Sequence, residues 1–96
     1  MKLSAVVPEF AGELEDGLRA AGRPELAGQV AGLELRELCQ CSVEGCASFH
    51  TGRPMKRWFR RGKQVPVGDL VVDTIDGDIV YVEVLDRPDL REALRR

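Results

Sequence analysis

Four side chains able to bind a metal or do thiol chemistry lie close together in the sequence: Cys39-x-Cys41-x4-Cys46-x3-His50. They are all three cysteines and the only histidine of the 96-residue chain. Cys3His is an accepted ligand set for a structural zinc ion, which takes four ligands in a tetrahedron. The same residues admit two other readings. Cys46 or Cys39 activated by His50 would be a thiol nucleophile or redox centre, although no Gly-rich turn able to hold an oxyanion accompanies them. Free cysteine is also a small hydrophobe that packs well in a core.

The elements that must position this cluster follow from periodicity. From Leu33 the hydrophobic period is two, which places Leu33, Leu35, Cys39 and Cys41 on one face of a strand. A turn over Ser42-Val43-Glu44-Gly45 leads to a partner strand, Cys46 to Thr51. In that hairpin Cys41 stands opposite Cys46, Cys39 opposite Ser48 and Glu37 opposite His50. Directly opposed Cβ atoms are about 4.5–5.5 Å apart, so three thiolates can converge on one ion. His50 lies one pair further from the turn and joins them only if the hairpin curls. The face also carries Leu33 and Leu35, which favours its use as a core face. A Cys41–Cys46 disulfide is feasible across the pair, but it does not persist in a reducing compartment.

A second stretch has chemistry of a different kind. "GRPMKRWFRRGK" sets Trp58 and Phe59 among Arg53, Lys56, Arg57, Arg60, Arg61 and Lys63 with no acid between them. Cations neutralise phosphates and aromatic rings stack on bases, so this loop has the composition of a nucleic-acid contact. It equally suits an acidic protein surface, or a structural loop whose rings cover the sheet while its cations stay solvated. The flanks are acidic: residues 1–52 hold four basic and eight acidic side chains, and residues 64–96 hold the same. The overall charge of −2 thus conceals a strongly basic segment between two acidic ones, and the acidic surroundings weaken attraction to nucleic acid.

Around these stretches the chain is punctuated for helices and hairpins. Phe10, Leu14, Leu18 and Ala21 form one stripe of a helix from Pro8 to Ala21, and a shorter helix runs from Pro24 to Ala31. Gly12, Gly17 and Gly28 each weaken these helices by about 1 kcal/mol relative to alanine. In "GDLVVDTIDGDIVYVEVLD" a three-residue turn, Asp76-Gly77-Asp78, pairs Leu70, Val72 and Thr74 with Val84, Val82 and Val80, and sends Asp73, Tyr81 and Glu83 to the opposite face. A two-residue Asp76-Gly77 turn would mix the faces, so the buried face selects the longer turn. Gln64 to Val67 is an additional strand. A last helix is capped by Asp86, with Leu85 stapled to Leu90.

The cysteine stretch "CQCSVEGCASFHT", followed by "LVVDTIDGDIVYVEVLDRPDL", resembles a group of small actinobacterial proteins. These share a Cys-x-Cys-x4-Cys-x-Ser-aromatic stretch and a hydrophobic Asp-Gly hairpin near the C-terminus. The resemblance covers the last two-thirds of the chain and implies no activity. The basic run departs from the Pro/Gly-rich segment of that group, and His50 occupies a position where an aromatic is equally usual.

The expectation is one α+β domain over residues 1–96: N-terminal helices, an antiparallel sheet of two hairpins with four or five strands, and a C-terminal helix. No apolar run reaches the roughly 18–20 residues of a membrane span, and the N-terminus lacks the pattern of a signal peptide. The expected setting is bacterial and cytoplasmic. The function expected is a binding or interaction module, with a protein partner or a second copy as ligand and zinc as a structural ion. The alternatives are a nucleic-acid-binding protein using residues 53–63 and a thiol redox protein or enzyme using the cysteines.

Overall fold

The computed structural model describes residues 1–38, 46–51 and 63–95. The elements run α1 (Leu3–Val6), α2 (Pro8–Ala20), α3 (Pro24–Ala27), a 3-10 turn (Val30–Gly32), β1 (Glu37–Leu38), β2 (Phe49–His50), β3 (Lys63–Val67), β4 (Leu70–Ile75), β5 (Asp78–Glu83) and α4 (Pro88–Arg95). The five strands make one antiparallel sheet in the order β1-β2-β5-β4-β3. This is the α+β architecture expected, with helices at both ends of the chain.

Proline opens three of the helices. Pro8, Pro24 and Pro88 each occupy the first helical position, where an N–H would have no intrahelical acceptor and the fixed φ suits the helix. The second helix is shorter than its periodicity suggested, because Gly28 caps it and the chain continues as a 3-10 turn. The last helix begins after the expected cap. Asp86 takes a left-handed conformation (φ 60°), and the Arg87 carbonyl accepts the first helical bond from Arg91 N–H. Leu85 is 53% exposed, so it forms no staple with Leu90.

One row across the sheet explains the core. Leu38, Phe49, Val82, Val72 and Val65 are successive cross-strand partners. Phe49, Val72 and Val82 are wholly buried and Val65 nearly so. Phe10 of α2 meets Phe49 edge-on at 6.0 Å, a geometry aromatic rings prefer. Leu3, Leu14, Leu18, Leu26, Val30, Leu90 and Leu94 complete the same cluster. Every described helix therefore contributes buried side chains to this one core cluster.

The hairpin between β4 and β5 combines both registers considered from the sequence. Ile75 pairs with Asp78 around a two-residue turn in which Asp76 (φ 53°) and Gly77 (φ 83°) are both left-handed, as a type I′ turn requires. A register shift between Asp73 and Thr74 then restores the pairs Val72–Val82 and Asp73–Tyr81. One extra residue on β5, Val80, absorbs the shift as a bulge, and Ile79 and Val80 are both buried. The three-residue turn is therefore corrected to a tight turn plus a bulge. The Gln29 side chain holds the tip: its Nε2 donates to the Gly77 carbonyl at 2.6 Å and its Oε1 accepts from Ile79 N–H at 3.0 Å. Gly68 (φ 62°) and Asp69 make the other tight turn, between β3 and β4.

Candidate functional site

Adjacent rows of an antiparallel sheet face opposite ways. Next to the apolar row runs a polar one: Glu37 pairs with His50, His50 with Tyr81, Tyr81 with Asp73, and Asp73 with Gln64. This row turns away from the helices. Its ends, Glu37 and Gln64, are exposed, and its middle is half-buried. Glu83 follows Tyr81 by two residues on the same face and is also half-buried.

The centre of the row is an aromatic pair beside a carboxylate in an unusual setting. The His50 and Tyr81 rings lie 4.5 Å apart, tilted by 45°. The Oδ1 atom of Asp73 is buried and has no hydrogen-bond partner. Burial pushes the Asp73 carboxyl above its ordinary value of 3.8, while the Gln64 side chain and the charge of His50 pull it back. A buried acceptor without a donor costs about 1–3 kcal/mol, so native structures rarely retain one without reason.

The expected cluster separates into two surroundings. Cys39 and Cys41 lie outside the described residues. The Glu37–His50 and Leu38–Phe49 pairs match the register expected for the cysteine hairpin. The strands are shorter than expected, because residues 33–35 pair with the N-terminus instead: Leu3 N–H donates to Leu33 O at 3.0 Å, and Leu35 N–H to Met1 O at 2.7 Å. Cys46 is buried outside the main core cluster. Its thiol donates to Ser48 Oγ at 3.6 Å, and its carbonyl accepts from Arg91 Nη1 at 3.3 Å. It lines a water-sized crevice with Leu38, Ala47, Ser48, Arg91 and Leu94. Of the face expected to be core, Leu33 belongs to the core cluster, Leu35 packs against it and Cys46 is buried, while the Glu37–His50 pair lies outside it and Leu38, Ala47 and Phe49 supply core contacts at the hairpin. His50 instead packs on Tyr81. Among the described residues, no group of three or more His, Cys, Asp or Glu side chains is arranged to hold a metal ion.

Ser48 has a structural role that composition did not signal. Its Oγ accepts from Val84 N–H at 2.9 Å and donates to Val84 O at 3.3 Å, completing the backbone bonding of a wholly buried residue. Thr51 acts similarly at the bulge, donating from Oγ1 to Ile79 O at 2.9 Å. Of the basic stretch, Arg53, Lys56, Arg57, Trp58, Phe59, Arg60 and Arg61 lie outside the described residues. Lys63 is exposed at the start of β3, and its carbonyl accepts from Thr74 Oγ1 at 3.3 Å.

Comparison with protein-family models, curated proteins and solved structures found no match for this chain. No helix among the described residues is long and apolar enough to cross a membrane.

Proposed function

We propose that this domain is a binding module and that its binding surface is the sheet face opposite the helices, centred on His50, Tyr81 and Asp73. The observation that carries this reading is the buried Asp73 Oδ1 without a donor, set next to Tyr81 in a polar row that crosses the sheet. An unsatisfied acceptor weakens the free fold, and a ligand that compensates the carboxylate recovers the loss. The aromatic pair beside it offers apolar contact area at low entropic cost.

Amide and side-chain chemical-shift mapping tests the reading with a panel of small cationic, neutral and anionic probes. Saturable shifts centred on His50, Tyr81 and Asp73 with any probe support it. Saturable binding confined to other surfaces overturns it.

Two further proposals rest largely on residues outside the described part, together with Cys46, His50 and Lys63 within it. Zinc held by Cys39, Cys41, Cys46 and His50 is decided by metal analysis of protein purified without chelator. Nucleic-acid binding through Arg53, Lys56, Arg57, Trp58, Phe59, Arg60, Arg61 and Lys63 is decided by salt-titrated oligonucleotide binding. Rapid alkylation of a low-pKa thiol would instead support the redox reading.

A further inference from the structure

We infer that the His50–Tyr81–Asp73 face selects an organic cation, a guanidinium or alkylammonium group such as the side chain of a basic peptide. The inference rests on the binding-face reading above and adds the sign and shape of the ligand.

Three features select the cation. First, Asp73 Oδ1 is buried without a donor, so the Gln64 side chain and the charge of His50 leave this oxygen of the carboxylate unmet. A cation placed beside the carboxylate compensates its charge whether it bonds Oδ1 itself or the other oxygen. An anion would worsen the imbalance, and a neutral donor would correct only the missing hydrogen bond. Second, the Tyr81 and His50 rings lie directly alongside in the cross-strand row. The electron-rich face of a tyrosine ring attracts an ammonium or guanidinium within about 6 Å, and Arg stacks flat on such rings. Third, the described residues of this face add carboxylates beyond Asp73. Glu37 ends the row opposite His50, and Glu83 follows Tyr81 along β5. Among the described residues of the row none is Lys or Arg. Aromatic rings flanked by carboxylates satisfy both the charge and the alkyl stem of such a side chain.

Two competing sites are weaker. The groove of about 440 Å³ between the starts of α2 and α4 has an apolar floor, but its Arg87 is already paired with Glu13 at 2.5 Å. The Cys46 crevice has room for about one water molecule at most.

The test is an NMR titration of the full chain with Nα-acetyl-arginine amide, Nα-acetyl-lysine amide and the neutral, nearly isosteric Nα-acetyl-citrulline amide. The expected result is saturable shifts at His50, Tyr81 and Asp73 for both cations, with at least about tenfold weaker binding of citrulline, the loss of one charge-assisted contact. Asp73→Asn, whose fold the same spectra verify, is expected to weaken arginine binding about tenfold. Tyr81→Leu keeps the apolar packing and is expected to weaken it severalfold. If citrulline or an anionic probe binds this face as tightly as arginine, the cation inference fails while the binding-face reading stands. If no probe shifts these residues, both fail. Arginine binding unchanged in Asp73→Asn also overturns the inference.

Discussion

Ser48 and Asp73 show opposite ways in which a single polar side chain meets burial. Ser48 is enclosed but fully used: its hydroxyl bonds both the N–H and the carbonyl of Val84. Ser48→Ala leaves a buried N–H without an acceptor and is expected to destabilise the fold by about 1–3 kcal/mol. Urea denaturation with an unchanged m-value would measure this, and an unchanged midpoint would refute it. Asp73 is the converse, with one oxygen buried and unsatisfied. Its carboxyl is raised above 3.8 chiefly by burial, so the folded chain holds this proton more tightly than the unfolded chain does. Between 3.8 and the raised value the native state therefore binds more protons, and its stability falls as pH rises. The wild-type advantage over Asp73→Asn is expected to be largest below 3.8, to shrink through the raised value and then to level off. Denaturation midpoints of both proteins across that range provide the check. A constant difference, or one that grows with pH, would contradict the assignment. Glu34 contributes the opposite slope, since the amino terminus and Lys2 hold its carboxyl below the usual range, and subtracting the variant removes it.

At the scale of elements, the sequence was most legible where one residue class controlled the geometry. Proline marked the starts of α2 and α3, and alternation identified the β4–β5 hairpin together with the outward side of Asp73 and Tyr81. The pairing of Glu37 with His50 also followed from opposing the two strands around a short turn. Legibility failed where two local demands competed. The Asp76-Gly77 dipeptide favours a type I′ turn, whereas the buried valines need a different register, and only the bulge at Val80 satisfies both. The clamp by Gln29 was hidden as well, because it joins residues 48 positions apart. Asp73 was placed on the outer face, but its unsatisfied oxygen depends on three-dimensional enclosure that alternation cannot express. The glycines of α2 illustrate the same divide. Both weaken a helix on propensity alone, yet a Cβ at Gly12 meets nothing within 4 Å, while one at Gly17 comes to 2.6 Å from Val67 Cγ1. Val67 is buried and β-branched, so it yields little. Gly12→Ala is expected to stabilise the protein by about 1 kcal/mol. Gly17→Ala is expected to destabilise it by about 1–3 kcal/mol, since overpacking against β3 exceeds the propensity gain. Thermal melts of the pair give the signs directly, and stabilisation by both variants would disprove the close approach of α2 to β3.

For the whole molecule, the sheet divides the two tasks between its faces and protects its edges. The helices and one face of the sheet share the core, which leaves the opposite face to hold the polar row. A sheet used in this way has open edges, and an unprotected edge invites pairing with another chain. Among the described residues the edge strand β1 comprises Glu37 and Leu38. At the other edge β3 is longer, but it contains Pro66 and begins with the exposed Lys63. Val67 and Leu70 flank the two-residue turn as the hydrogen-bonded pair, so the next pair, Pro66 and Val71, is the non-bonded kind. The position of the missing N–H therefore faces the open edge, where it withholds a donor from any incoming strand. Pro66→Val restores that donor and raises β-propensity without disturbing a bond to β4. Its expected consequence is concentration-dependent self-association that the parent chain lacks under the same conditions. Sedimentation velocity over a range of concentrations measures it, and adding Lys63→Val should strengthen the effect by removing the charge that repels a like strand. Identical sedimentation of the variants and the parent would mean that β3 is blocked by something other than its proline.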